Sequence, residues 1–281
     1  MMFDLGNGHD SLFITRDNHR DVVSLLEAAM IGVLQGVLEW LPVSSEGNIT
    51  LFLVSVLSID PSETLGLAVF IHLGTGLAAL IYYRKESWDI LIGDTDRDKD
   101  MRLRLFVMTL LTGAVGLPIY TYLNVSTAVG EALLALTGLA LIATGLIQRR
   151  ENVTGERDAS SLSWPETVAL GVLQGFAIIP GLSRSGVTTS TMLLRGLRGD
   201  EAFNVSFIMS IPASFAAGLG LVLIDGFQVT TGASVAAVVS AIVGYMTIGA
   251  LIGFAQKTSF WKICVGLGSL TLLAWAPNLL F

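Results

Sequence analysis

Ten apolar segments, separated by short polar stretches, follow one another along almost the whole chain. They lie at about residues 22–41, 48–58, 65–83, 103–123, 130–148, 165–180, 187–197, 203–224, 233–255 and 262–280. Six are long enough to cross roughly 30 Å of hydrocarbon as helices that rise about 1.5 Å per residue. The other four form two pairs, and the break within each pair contains proline, glycine and serine. This pattern predicts an all-α polytopic membrane protein.

The two interrupted pairs carry the same sequence signature. The pentapeptide Gly-Val-Leu-Gln-Gly occupies residues 32–36 and again 171–175, and each copy is followed by a proline, two serines and a glycine in the same order. This match, half a chain apart, indicates an internal duplication. Because broken helices are tolerated at membrane depth where the freed backbone lines a cavity, we predict two repeats, each a re-entrant helical hairpin plus three transmembrane helices.

The repeats divide the chain into four parts. A polar N-terminal tail covers residues 1–20, the first repeat 21–148, a cytoplasmic linker 149–164 and the second repeat 165–281. Three crossings per repeat is an odd number, so the second repeat is predicted to be inverted relative to the first. The hairpins would then enter from opposite sides and their tips would meet near the midplane, an architecture typical of transporters.

Charge predicts the orientation of these repeats. Of the 16 lysines and arginines, 13 fall at one predicted face, in the loops 84–102, 149–164, 195–202 and 256–262 or at Arg104. The opposite loops, at about 124–129 and 225–232, carry none. The positive-inside rule then places the basic face in the cytoplasm and both termini on the other side of the cell membrane.

Composition supports the membrane class and excludes others. Hydrophobic residues make up 52% of the 281 residues and the mean hydropathy is +0.69. Runs such as 133–147 and 233–255 are too long and too apolar for an ordinary soluble domain. The net charge of −7 comes without a concentrated basic face, so nucleic acid is not an expected partner. A single cysteine, Cys264, rules out an intrachain disulfide.

The second break carries the strongest chemical signal. Residues 180–186 read Pro-Gly-Leu-Ser-Arg-Ser-Gly. The Arg184 guanidinium presents a planar fork of donors for phosphate oxygens, and the helix start that follows adds a positive dipole end. Neighbouring hydroxyl and backbone N–H groups suit the same ligand and belong to Ser183, Ser185, Gly186 and Thr188. The alternative is that Arg184 pairs with a helix-end carbonyl, or with a carboxylate such as Glu39, and is structural.

The first break supplies acids and further hydroxyls. Glu39 lies one helical turn after Gln35, so both face the same side of their helix. Beside an arginine, Glu39 would be ionised and serve as a general base, a metal ligand or a counter-ion. If Glu46 also points inward, the two carboxylates could hold Mg²⁺ or Ca²⁺ against a diphosphate. Ser44 and Ser45 are candidate nucleophiles or phosphate donors, or else they cap the following helix.

These two loops resemble the paired signatures of the bacitracin-resistance family of undecaprenyl-diphosphate phosphatases. The first signature corresponds to Leu-Pro-Val-Ser-Ser at residues 41–45 and the second to residues 180–186, and the likeness extends to residues 207–213, 243–245 and 259–260. The resemblance implies an integral membrane enzyme that removes the terminal phosphate of a polyprenyl diphosphate. Its product would be the monophosphate carrier that is recycled for glycan assembly.

The resemblance also implies residue roles. Glu39 matches a motif glutamate, Ser45 a proposed nucleophile or phosphate ligand, and Arg184 the phosphate-binding arginine, with Ser183, Ser185 and Thr188 as hydroxyl ligands. Dependence on a divalent cation is implied as well.

Two positions depart from the family pattern. Gln35 stands where the family usually has a glutamate, and Asn48 where it usually has a histidine. An amide can orient a phosphate or a water but cannot shuttle a proton. Glu46 or Glu39 would then have to do that work. His72, on the third apolar segment, is either another source of an imidazole or a hydrogen-bonded packing residue.

Two function classes follow from this reasoning. The favoured one is the membrane phosphatase. The alternative is a polyprenyl-phosphate transporter with the same fold and no hydrolysis, since fold alone does not decide chemistry. The lipid diphosphate and membrane lipids are the expected partners, and a homodimer is left open.

The charge bias makes the orientation testable. With Ser126→Cys and Thr95→Cys placed in loops on opposite predicted faces, an impermeant thiol reagent added to intact cells should label the first variant and not the second. The reverse labelling would show that the orientation is inverted.

Overall fold

The structure is a computed structural model that describes residues 23–59, 61–125, 127–149 and 155–275. Within these ranges it contains α-helices and one 3₁₀ turn, Ala159–Ser161, and no β-strand. The helices are α1 Leu25–Leu38, α2 Ser45–Ser55, α3 Pro61–Phe70, α4 His72–Tyr82, α5 Arg84–Ile92, α6 Asp96–Val125, α7 Thr127–Gln148, α8 Trp164–Phe176, α9 Arg184–Leu194, α10 Gly199–Leu223, α11 Thr231–Ala255 and α12 Trp261–Trp275. The predicted tail at 1–20, residues 150–154 of the predicted linker and Ser126 lie outside the described residues.

Long apolar helices confirm the all-α polytopic membrane class. Four helical stretches in the described part are long and apolar enough to cross a membrane: Glu63–Tyr82, Asp96–Leu123, Gly199–Leu223 and Thr231–Ala255. Shorter apolar helices lie at Leu25–Leu38, Leu133–Gln148 and Trp261–Leu273. The first span comprises α3 and α4 with a break at Ile71, whose carbonyl accepts a hydrogen bond of 3.1 Å from Ser240 Oγ. Helix α4 begins at His72, directly after this break.

The two predicted hairpins appear as pairs of short helices. α1 and α8 have 14 and 13 residues, and α2 and α9 have 11 each, so each is about 16–21 Å long and too short to cross the hydrocarbon. Serine caps all four, through Ser24, Ser44, Ser163 and Ser183. The depth of these pairs in a membrane and the inverted orientation of the second half stay predictions.

The repeated pentapeptide has a packing role in both halves. The first copy lies on α1, which packs against α11, and the second lies on α8, which packs against α6. A Cβ atom at Gly32, Gly36, Gly171 or Gly175 would come within 2.6–2.9 Å of atoms in the facing helix. Real Cβ atoms do not approach that closely, so both helix pairs need glycine at these positions. Corresponding residues thus make corresponding contacts in the two halves, as a duplication predicts.

Three clusters of buried side chains hold the helices together. One surrounds Ile49 and Ile71, a second surrounds Trp40 and Phe207, and a third surrounds Met209 between α6, α8 and α10. In the second cluster the Trp40 and Phe207 rings meet edge to face with centroids 5.4 Å apart. Trp40 is in the first loop and Phe207 on α10, so this contact fixes the first loop against the second half of the chain.

Candidate functional site

The two loops that follow α1 and α8 touch each other. The Ser44 hydroxyl oxygen accepts hydrogen bonds from the backbone N–H groups of Gly47 and Gly181, each at 3.2 Å. The second of these bonds joins residues that are 137 positions apart. Ser44 adopts φ 61° and ψ 90°, a region that residues with a side chain rarely enter. Its two bonds hold this conformation and make Ser44 the junction between the loops.

Helix α7 anchors both loops from one side. Thr144 Oγ1 donates to the carbonyl of Gly181 at 3.2 Å and accepts from the N–H of Ser183 at 3.0 Å. One turn further along, the Gln148 amide donates to the carbonyl of Pro42 in the first loop. One helix therefore sets the position of both loop backbones.

Glu39 is the centre of a buried polar network between the loops. It is the C-cap of α1 and only 6% exposed. Its Oε2 accepts from Ser45 Oγ at 2.6 Å and from Gln35 Nε2 at 2.9 Å, and it lies 3.3 Å from His72 Nε2. Its Oε1 forms an ion pair with the Arg184 guanidinium. Donors from four elements converge on one carboxylate.

Arg184 joins the second loop to this carboxylate. It is the first residue of α9, and besides Glu39 it donates from Nη1 to the backbone carbonyl of Ser206 at 3.1 Å. Its guanidinium carbon lies 5.4 Å from the centroid of the Phe207 ring. The pairing with a carboxylate that the structural alternative predicted is therefore present. Because the side chain remains 16% exposed and borders the cavity described below, a phosphate-binding role stays a prediction.

The environments of the two neighbouring serines differ. The Ser45 hydroxyl donates to a carboxylate, which is the arrangement of a nucleophile beside a general base. The Ser44 oxygen instead accepts two backbone N–H groups and caps α2. Ser45 is therefore the better placed of the two to act as a nucleophile, a role that stays a prediction, and Ser44 makes the capping contacts.

A small cavity lies between the loops. Seven of the eleven predicted site residues line it: Glu39, Ser44, Ser45, Glu46, Ser183, Arg184 and Ser185. His72 completes the polar part of its wall. The cavity encloses about 40 Å³, which is room for roughly three water molecules. Helices α2 and α9 both begin at its edge, so two positive dipole ends face the same space.

The other four predicted ligands are not among the residues that line the cavity. Asn48 Nδ2 donates to the carbonyls of Val43 and Ser44, both at 2.8 Å, and so stabilises the first loop. Gln35 bonds Glu39 and Thr75. The Thr188 hydroxyl bonds the carbonyl of Arg184, and the N–H of Gly186 is capped by Ser183. In this structure these four residues support the residues that line the cavity, and their direct contact with substrate stays a prediction.

The described acidic residues are not gathered into a cluster of several protein ligands. The described residues contain no group of three or more His, Cys, Asp or Glu side chains that could hold a metal ion. Both Glu39 oxygens already face protein donors. Glu46 is 7% exposed and its Oε1 has no hydrogen-bond partner, so it offers a bare buried carboxylate oxygen. Because Mg²⁺ is usually held by one or two carboxylates together with the phosphates of the substrate, a cation between Glu46 and a bound diphosphate stays a prediction.

Some residues of the site were missed or weighed lightly from the sequence. Thr137, Thr144 and Gln148 are all buried on α7, and their spacing of seven and four residues puts them on one helix face. A polar stripe of this kind in an apolar helix is visible in the sequence and indicates a functional face. His72 and Thr75 on α4 carry the same signal, although nothing in their spacing indicates which loop they face.

The outer end of α9 is held by a second charged cluster. Glu166, in the first turn of α8, accepts from Arg157 at 3.0 and 3.1 Å and from Arg195 Nε at 3.0 Å. The hydrogen bonds from Arg157 hold the pKa of Glu166 well below its usual range. Since Arg195 caps the helix that Arg184 begins, this cluster secures the helix that carries the cavity arginine.

Comparison with known proteins gives a consistent result over nearly the whole chain. Residues 28–270 match the family model for bacitracin resistance protein BacA. Undecaprenyl-diphosphatase of Haloarcula marismortui is 41% identical over 257 residues, which cover 88% of this chain and 95% of that protein. The proteins of the same name from Methanothrix thermoacetophila and Methanococcoides burtonii are 38% and 37% identical over 88% and 90% of this chain, and 95% and 98% of their own lengths.

The anchoring by α7 predicts that Thr144→Val lowers stability. Valine keeps the shape of threonine but leaves the buried Ser183 N–H without its acceptor, which costs about 1–3 kcal/mol. Thr144→Ser keeps the hydroxyl and is the matched control. Thermal unfolding of the purified variants in detergent measures the difference, and equal stability of the two would show that α7 does not hold the second loop.

Proposed function

This chain belongs to the BacA family of bacitracin resistance proteins, and we propose that it is a membrane enzyme that hydrolyses undecaprenyl diphosphate to the monophosphate and inorganic phosphate. The observation that carries the proposal is the 2.6 Å hydrogen bond from Ser45 Oγ to Glu39 Oε2, inside a cavity that an arginine also borders. A site that only binds and moves a phosphate group does not need a hydroxyl paired with a carboxylate. A hydrolase is therefore favoured over a transporter.

Ser45 is the proposed nucleophile and Glu39 its general base. The carboxylate accepts the hydroxyl proton as the serine oxygen approaches the terminal phosphorus. Gln35, which bonds both Glu39 Oε2 and Thr75, keeps the carboxylate turned towards Ser45. The amide at position 35 thus serves as an orienting group.

Arg184 and the N-termini of α2 and α9 balance the negative charge of the diphosphate. Phosphoryl transfer depends mainly on positioning and on electrostatic stabilisation of the phosphate oxygens. Arg184 supplies the fixed positive charge, and the first turns of α2 and α9 supply backbone dipole ends at the same cavity. Ser183 and Ser185 border the cavity beside them and are the proposed hydroxyl ligands.

Substrate entry requires the cavity to widen. Since 40 Å³ is room for only a few waters, a diphosphate must displace part of the wall. The Arg184–Glu39 contact is the element proposed to open, because a phosphate can replace the carboxylate as the partner of the guanidinium. Glu39 is then released from its ion pair and becomes a stronger base for Ser45.

The remaining expectations are proposals of the same kind. The inverted repeats and both termini on the non-cytoplasmic side rest on sequence and charge alone, and a homodimer stays open. A divalent cation is implied by the resemblance, and Glu46, with its bare carboxylate oxygen, is the residue that would hold it against the phosphates, where it would offset their negative charge. The steps proposed for Ser45, Glu39 and Arg184 describe what the protein side chains do.

Removal of the Glu39 charge tests the proposed hydrolysis. Purified wild-type protein in detergent should release phosphate from undecaprenyl diphosphate. Glu39→Gln should lower the rate by about 10²–10⁴-fold, the usual contribution of a general base, while substrate binding stays within a few fold. Glu86→Gln, at an exposed position on α5, is the matched control. If wild type releases no phosphate but moves a labelled polyprenyl phosphate between leaflets, the chain is a transporter.

The phosphate-binding role of Arg184 has its own test. Arg184→Lys keeps the charge and loses the fork of donors, so we expect diphosphate affinity to fall about ten- to a hundredfold, which corresponds to about 1.5–3 kcal/mol. Arg198→Lys, at a half-exposed surface ion pair, should bind as wild type does. Equal affinity of the Arg184→Lys and Arg184→Ala variants would assign Arg184 a structural role only.

A further inference from the structure

We propose that His72 is the proton donor and acceptor of the phosphatase reaction, acting through its Nε2 atom. The inference rests on the proposed hydrolysis and adds a catalytic residue from outside both signature loops. His72 is the first residue of α4, just after the break at Ile71. Its side chain is 19% exposed and borders the cavity between the loops.

The ring is oriented by hydrogen bonds at both nitrogens. Nδ1 lies 2.6 Å from the backbone carbonyl of Ala68. A carbonyl oxygen can only accept, so Nδ1 carries a hydrogen in every protonation state that keeps this bond. Nε2, 3.3 Å from Glu39 Oε2, is then the nitrogen that gains or loses a proton. A hydrogen bond at the other ring nitrogen is what fixes the working tautomer of a functional histidine.

The position of Nε2 places it next to the reacting groups. The oxygen that it faces, Glu39 Oε2, is the same oxygen that accepts the Ser45 hydroxyl at 2.6 Å. The donated Ser45 proton and the imidazole are thus neighbours of one carboxylate oxygen. Because Ser45, Glu39 and His72 line the same cavity, a phosphoryl group bound at Ser45 would share that space with the imidazole.

Other polar groups in this network are poorer candidates for the same work. Arg184 stays protonated and the Gln35 amide does not titrate. Glu39 is committed to the Ser45 proton in the first step. Glu46 borders the cavity with a bare Oε1, but it makes no hydrogen bond to Glu39, Ser45 or His72 in the structure. Glu46 is therefore the competing acid that the experiment must separate from His72.

The first step forms a bond between the Ser45 oxygen and the terminal phosphorus. The bond from that phosphorus to the bridging oxygen breaks, and its electron pair stays on the lipid monophosphate. The Ser45 proton goes to Glu39, and protonated His72 gives its Nε2 proton to the departing oxygen. The lipid monophosphate leaves, and the terminal phosphate remains on Ser45.

The second step uses one water molecule. The water oxygen bonds to the phosphorus and its proton passes to Nε2 of the now neutral His72. The bond between phosphorus and the Ser45 oxygen breaks, and Glu39 returns its proton to that oxygen. One diphosphate and one water become lipid monophosphate and inorganic phosphate, and all three side chains regain their starting forms.

The test compares His72→Gln, His72→Ala and Glu46→Gln in phosphate release from undecaprenyl diphosphate by detergent-purified protein. We expect His72→Gln to lower kcat by about 10²–10⁴-fold, with KM and thermal stability close to wild type. Added imidazole should restore part of kcat in His72→Ala and none in Glu46→Gln. His19→Gln makes the same change at another histidine of the chain and should leave kcat unaltered.

The outcomes are separable. A wild-type protein that releases no phosphate overturns the proposed function itself. An active wild type with a His72→Gln kcat within about threefold of it overturns the role of His72 alone. A loss of kcat that imidazole does not restore, accompanied by lower thermal stability, would assign His72 to packing and likewise overturn the proposal. If His72→Ala does not fold, the kcat and KM of the His72→Gln variant decide between a catalytic role and a packing role.

Discussion

The ion pair between Glu39 and Arg184 is the interaction on which the site depends. It joins the end of α1 to the start of α9, and both side chains are largely buried. Placing one such charge in an apolar interior without the other costs about 3–5 kcal/mol. Each residue therefore requires its partner, and the two halves of the chain are held together at the point where their loops meet.

The rest of the structure brings these two groups to one place. Glycines in the repeated pentapeptide let α1 approach α11 and α8 approach α6, which sets where each hairpin begins. Helix α7 then bonds the backbone of both loops through Thr144 and Gln148. Ser44 joins the loops directly. The loops are short and irregular, but hydrogen bonds to helices on several sides hold them.

The same contacts explain how the chain can keep a phosphatase site with amides at two positions where the family usually has titratable groups. Gln35 holds the central carboxylate and Asn48 holds the first loop. Neither amide needs to carry a proton there. In the proposed reaction, the groups that transfer protons are instead Glu39 at the end of α1 and His72 at the start of α4.

The sequence by itself determined the membrane class and the two broken helix pairs, and it pointed to eleven site residues, because these follow from hydropathy and local motifs. Packing decided which seven of the eleven line the cavity. Local patterns also predicted that Arg184 and Glu39 carry the chemistry. Only the tertiary structure decided that Ser45 faces the carboxylate while Ser44 joins the loops, since adjacent residues with the same side chain differ only in their surroundings. It also placed His72 and Thr144 at the site, although they come from helices α4 and α7. Their contacts arise from packing between residues dozens of positions apart, and no local spacing encodes which helix faces which loop.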